Sequence, residues 1–398
     1  MPTRSATRWP AIFLLVVAGM VGALEFAKVS TVFADVSAAY AADATLSAWF
    51  VSLPAVMTIV FGLGASVVAS RVGFRRTLLI SLALAVALSV IQAFVPPLPI
   101  FIITRILDGA VQLGIVIAAP VLILELAEPR ARAFAMALWG SFFGCAFTLA
   151  GWIAPLLRDR FGLGSVFAAH AVLAAALIAL IVVALPRTKG DGPSTATERV
   201  SFVAAHRSAY RSPKTVLPGA IFIFHTALYA IFVLYLPGFA TPAQAAVLLI
   251  ALPLSSIVGT IASGLLTSRV ASAPVVLALG YIGVAASLVA AWAFHSVPGV
   301  PLSVPIVLMW FSGLVQGASF SLIPALTADP IETAEANGVL MQLGNLGTLI
   351  GPPLFAAVTV GMGLGLPGYT VLALAVALGG GALSIRTIRR VGARPVSA

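Results

Sequence analysis

The sequence predicts an all-α membrane protein: twelve transmembrane helices in two pseudo-two-fold six-helix bundles. Three observations predict it. The 398 residues are 61% hydrophobic and only 9% charged, with mean hydropathy +1.12, too little polar surface to cover a soluble core. The apolar residues gather into runs near the ~20 residues a helix needs to cross a bilayer core, and no strand-period pattern competes. The two halves of the chain also echo each other in order.

The runs are 11–35, 46–69, 76–95, 99–124, 133–156 and 163–186, then 215–238, 243–267, 273–295, 301–326, 335–360 and 365–386. The first follows Arg4 and Arg8 and precedes "SAAYAAD", a signal-peptide-like arrangement. It is too long for a signal core, and eleven spans follow, so it is read as an uncleaved first helix. Pro54, Pro120, Pro253 and Pro324 fall within runs and predict bends. The one long polar connection is 187–214, "RTKGDGPSTATERVSFVAAHRSAYRSPK". It divides the chain into a bundle over 1–186, a cytoplasmic linker over 187–214 and a bundle over 215–398.

Net charge is +10. With the amino terminus inside, 18 of the 22 Lys and Arg fall on the cytoplasmic side, and the outer loops hold only Arg158 and Arg160. This is the positive-inside asymmetry, with both termini cytoplasmic. The basic residues are therefore topology signals, and no nucleic-acid partner is expected. Cys145 stands alone, which rules out an intrachain disulfide and a Cys-based metal site. No phosphate loop, His-Glu-x-x-His or nucleophile elbow occurs, so neither an enzyme nor a cofactor is expected, and no metal.

The repeat runs through four pairs of segments. "GALEFAK" at 22–28 returns as "GAIFIFH" at 219–225, and "ASRVG" returns as "TSRVA". Gly109, Val111, Gln112 and Pro120 return as Gly313, Val315, Gln316 and Pro324; Gly140 and Gly144 return as Gly347 and Gly351. The offset grows smoothly from 197 to 207 residues. Such a duplication suggests a transporter with its site between the bundles near mid-membrane.

Three local patterns make the chain resemble the major facilitator superfamily over essentially its full length. "SVVASRVGFRR" at 66–76 is similar to the family's Gly-x-x-x-Asp-Arg-x-Gly-Arg-Arg loop; Arg71, Gly73 and Arg75 match, while Ser66, Ser70 and Phe74 depart from it. The resemblance implies a cytoplasmic latch formed by Arg71, Gly73 and Arg75, weakened by the missing carboxylate. "RILDG" at 105–109 resembles the Arg-x-x-x-Gly pattern of proton-coupled members. "GTLIGPP" at 347–353 resembles a Gly-x-x-x-Gly-Pro packing motif, whereas the fifth span lacks the family's antiporter Gly-Pro.

Ionisable groups inside spans are costly and mark function by default. Glu25 and Lys28 share one helix face, as do Arg105 and Asp108, each pair three residues apart. In the resembled fold, spans 1, 4, 7 and 10 line the cavity, and cross-pairing of Glu25 with Arg105 and Asp108 with Lys28 would neutralise all four. The alternative is a static ion-pair cluster locking the first bundle. The equivalent second-half positions are Phe222, His225, Met309 and Ser312, so the fold does not require the quartet. Glu25, Asp108 and Arg105 are the candidates for proton coupling. Lys28, Arg105, His225, Gln112, Gln316 and Trp310 are the candidates for binding substrate. Phe222, Phe224, Tyr229, Trp310 and Phe311 are a candidate aromatic wall, and His170 is read as a packing residue.

The resulting expectation is a monomeric secondary transporter of a bacterial inner or plasma membrane, moving a small organic solute by alternating access with proton coupling. The cations favour an anion or zwitterion. An uncoupled facilitator, a drug-type proton antiporter exporting lipophilic cations, and a non-transporting membrane sensor are the alternatives.

Overall fold

The computed structural model describes residues 7–128, 131–185, 202–294, 300–327 and 330–391. Residues 187–201 of the expected linker, His295 and Asp329 lie outside them. Among the described residues the chain is helical, with no strand. Ten helices are long and apolar enough to cross a membrane, and one bent pair supplies an eleventh, so the chain is an all-α, multi-pass membrane protein.

In the first half, α1 covers Trp9–Ser30 and a short α2 covers Phe33–Ala39. Asp43 caps α3 (Ala44–Ser52), its carboxylate accepting from Leu46 N at 2.7 Å. A 49° bend then leads into α4 (Ala55–Val72). Leu53 and Pro54 form the break, and Pro54 has no N–H to continue the ladder. The entry to α5 (Phe74–Ala93) is Gly73 at φ 95°, a conformation that disfavours any side chain. After α6 (Leu98–Leu126), the expected fifth span is divided at Ser141 into α7 (Arg132–Gly140) and α8 (Phe142–Phe161). The half ends with α9 (Gly164–Ala184).

The described part of the expected linker contains an amphipathic helix, α10 (Phe202–Arg211), which its Gly/Pro/Ser/Thr-rich beginning concealed. Then come α11 (Pro213–Tyr235), α12 (Pro242–Arg269), α13 (Ala273–Ala293), α14 (Val300–Leu326), α15 (Pro330–Ala356) and α16 (Gly365–Val391). Thr241 and Gln244 start α12 with a reciprocal capping box. Pro330 starts α15 five residues earlier than expected. Glu332 therefore lies in its first turn, where a carboxylate suits the positive helix end, and Glu335 follows in the next.

The chain forms two compact units: Met1–Tyr40 with Gly64–Val200, and Ala41–Leu63 with Ser201–Ala398. Thus α3 and the start of α4 group with the second unit, where α3 packs on α15. The core of the first unit brings Ile12 and Leu15 of α1 against Leu78 and Leu82 of α5 and Val111 and Ile115 of α6. In the second, backbones approach through glycines. A Cβ at Gly313 of α14 would strike the carbonyl of Ser256 on α12, and one at Gly347 or Gly351 of α15 would strike the carbonyl of Ile223 or Ala227 on α11. The packing role expected of "GTLIGPP" is thereby explained. Large apolar side chains such as Ile103, Val183, Ile261 and Val371 stand exposed, as a lipid-facing surface requires.

Candidate functional site

In the first unit the quartet is assembled by α1 and α6. Three-residue spacing puts Lys28 against Glu25 on α1 and Arg105 against Asp108 on α6, and both ion pairs form within their own helix. Lys28 also reaches Asp108 across the helices at 3.4 Å. Lys28 thus joins the two pairs. The four side chains are at most 2% exposed.

Neighbouring helices complete the shell. From α5, Ser89 Oγ accepts from Lys28 Nζ at 3.2 Å, and Gln92 Nε2 donates to Asp108 at 2.8 Å and to Thr104 at 3.0 Å. From α9, His170 Nδ1 lies 2.7 Å from Ser89 Oγ, while Nε2 lies 3.1 Å from Val21 O and 4.0 Å from Glu25. His170 is therefore not a bland packing residue: it is part of the charged cluster. Ser89 and Gln92 were also missed, although their spacing of three on an apolar helix is the same signal that singled out the charges. The additional partners lie on α5 and α9, so the cluster occupies the interior of its own unit.

The second unit builds the counterpart without charge. His225 of α11 meets Ser312 of α14 at 3.3 Å and stacks on Phe222 with ring centroids 5.3 Å apart. Tyr229 lies 5.9 Å from His225, and Phe320 packs edge-on against Phe222 at 5.5 Å. The rest of the expected aromatic wall is dispersed. Phe224 packs toward Gly379 of α16, and Phe311 packs toward Gly280 and Gly283 of α13 with Trp310 edge-on beside it at 5.1 Å. Gln112 is buried on α6, and Gln316 is half-buried on α14.

Arg71 is exposed at the end of α4, whereas Arg75 Nη2 donates to Val182 O at 3.4 Å, a carbonyl in the last turn of α9. In the second unit Gln342 of α15 donates to Ile59 O of α4 at 2.9 Å and to His206 of α10 at 3.1 Å. It accepts from Tyr210 Oη at 3.2 Å. Gln342 thereby ties three segments together.

Comparison with known proteins places this arrangement. The family model described as Major Facilitator Superfamily matches residues 12–352. No curated protein sequence matches the chain. Among solved structures, the chain is similar to a bacterial homolog of the human lysosomal transporter Spinster, crystallised in an inward-facing and unoccupied conformation. The alignment covers 98% of this chain and 99% of that one, with TM-score 0.72 and 13% identity, a likeness of fold.

Proposed function

Because the chain belongs to the Major Facilitator Superfamily, and is thus a membrane transporter for small molecules, we propose that it carries an organic anion or zwitterion together with protons by alternating access. Glu25 and Asp108 are the proton carriers in this reading, and Lys28 and Arg105 are the cations they release. Both termini are taken as cytoplasmic from the distribution of Lys and Arg.

One observation carries the reading: a single ammonium, Lys28, is shared by carboxylates on two helices in a desolvated cluster. Two cations and two anions leave the cluster neutral. Adding one proton to either carboxyl leaves a buried positive charge, which is costly by several kcal/mol unless it is compensated. An anionic solute supplies that compensation, so proton and solute enter together or not at all. A monoanion moving with one proton carries no net charge, and the membrane potential then does no work on it.

The burial and the partners on α5 and α9 favour a second reading, in which the quartet only cements its own unit. Flux separates the two. Proteoliposomes with an imposed pH gradient are screened against organic anions and zwitterions, reading lumenal pH with a trapped dye. Solute-dependent proton entry is expected of the wild type, insensitive to an imposed potential where the solute is a monoanion. E25Q and D108N are expected to abolish it while retaining solute counterflow. If both variants keep proton entry at the wild-type rate, the quartet is cement.

A further inference from the structure

We infer that His170, acting through Ser89, is the residue that positions the Lys28 ammonium between Glu25 and Asp108. An ammonium has three N–H donors; Lys28 donates to Glu25 and to Ser89 Oγ and makes an ion pair with Asp108 at 3.4 Å. The carboxylates both draw Lys28 toward the ion pairs. Ser89 is the one neutral anchor, and it stands on a different helix.

The direction of the remaining bonds follows from donor chemistry. Val21 O can only accept, so the His170 nitrogen beside it, Nε2, carries a hydrogen. In the neutral ring Nδ1 is then an acceptor, and the Ser89 hydroxyl donates to it across 2.7 Å. That turns the hydroxyl lone pairs toward Lys28. Lys28, Ser89, His170 and Val21 form one directed chain in which every donor has its acceptor. It runs from α1 through α5 to α9 and back to the backbone of α1. Chains of this kind polarise each member, so His170 strengthens the oxygen that holds Lys28. The charged groups beside His170 are Glu25 and Lys28 on α1 and Asp108 and Arg105 on α6; α5 contributes only the neutral Ser89 and Gln92 among the described residues. His170 touches no solute in this scheme; it is a positioning residue.

Its consequence for proton uptake rests on the proton-carrier reading above, and the experiment keeps the two apart. The full-length protein in lipid nanodiscs is titrated by infrared spectroscopy, following the carboxylic-acid C=O band, with E25Q and D108N assigning it. The expected result is one shift of the midpoint, equal in S89A and H170F and no larger in S89A/H170F. H170N should keep the wild-type midpoint, because its amide oxygen can accept from Ser89 in place of Nδ1. A wild-type midpoint in H170F, additive shifts, or an H170N as displaced as H170F would overturn the inference. A melting comparison reads the positioning without titration. S89A should lower the melting temperature less in the E25Q/K28M background, which removes one charge of each sign, than in the wild type. Equal losses in both backgrounds overturn the positioning. If no carboxylic-acid band titrates in the wild type, the proton-carrier reading fails, and the melting comparison still decides the role of His170.

Discussion

Glu25, Lys28, Arg105 and Asp108 in the first unit and Phe222, His225, Met309 and Ser312 in the second stand at matching places in a duplicated helix arrangement. The contacts repeat as well as the positions. Lys28 meets Asp108 across α1 and α6 at 3.4 Å, and His225 meets Ser312 across α11 and α14 at 3.3 Å. Glu25 pairs with Lys28 along one helix face, and Phe222 stacks on His225 along the other. One geometry is thus held by ion pairs in one copy and by a stack with one polar contact in the other. The difference bears on what the charges are for. A crossing that closes with aromatic and hydroxyl groups does not need four ionised ones, so the helix arrangement itself does not demand the charges, as the proposed coupling role requires.

The largest expected effect tests that asymmetry directly. K28M leaves two carboxylates facing one guanidinium in a desolvated site, and breaking a buried pair costs about 3–5 kcal/mol. H225F at the matching position removes one neutral contact while keeping an aromatic ring beside Phe222, which amounts to about 0.5–1.5 kcal/mol. Thermal unfolding in detergent should show K28M far below H225F, and E25Q/K28M recovering much of the loss. If K28M and H225F melt together, water reaches the quartet and the contrast between the halves is false.

How far this contrast was legible beforehand follows from what sequence spacing can carry. Charges at i and i+3 declare a shared face, so the grouping of the four charges and their one-sided distribution were visible, but the pairs expected were the cross-helix ones, and the tightest that form lie within each helix. Pairing across helices depends on rotation about each helix axis, which no spacing encodes, so the spacing of Ser89 and Gln92 could mark a polar face but not its partners, and His170 carried no such mark. The break at Ser141 was hidden because the apolar run continues through it. The amphipathic helix α10 was hidden because "GDGPSTAT" before it reads as flexible chain. Gly313, Gly347 and Gly351 were legible through the repeat, since close backbone approach admits few other residues, although Gly140, the counterpart of Gly347, faces open space.

Those glycines give the next test, of the scaffold the halves share. At Gly313 an added Cβ meets the carbonyl of Ser256, a backbone atom that cannot rotate away. G313A should therefore cost about 1–3 kcal/mol, the range for overpacking. If Gly109 serves the same packing in the first unit, G109A should lower the melting temperature by a similar amount. A neutral G109A would limit the repeat to sequence and confine the tight crossing to the second unit. A smaller effect is expected at the mate of Asp108: S312A removes one hydrogen bond to His225, worth about 0.5–1.5 kcal/mol. An unchanged melting temperature in S312A would show that stacking on Phe222 holds His225 by itself.

The smallest effect sharpens the comparison by keeping the charge and removing the burial. Arg158 of α8 pairs with Asp35 of α2 at 2.7 Å and with Asp159 at 2.7 Å, and about a third of the Arg158 and Asp35 side chains is exposed. The hydrogen bond from Arg158 to Asp35, outweighing a small desolvation penalty, holds the guanidinium even more firmly protonated than usual. Acid–base change at this arginine is therefore irrelevant near neutral pH, and salt is the useful variable. Exposed pairs contribute about 0.2–1 kcal/mol, screened as ionic strength rises. D35N should lower the melting temperature slightly at low salt, and that deficit should fade at high salt. K28M should keep its deficit at both salt concentrations, because ions do not enter a cluster closed on all sides. A deficit in K28M that fades with salt as D35N's does would place the quartet in contact with water, and the distinction between the buried charges and the surface pair would disappear.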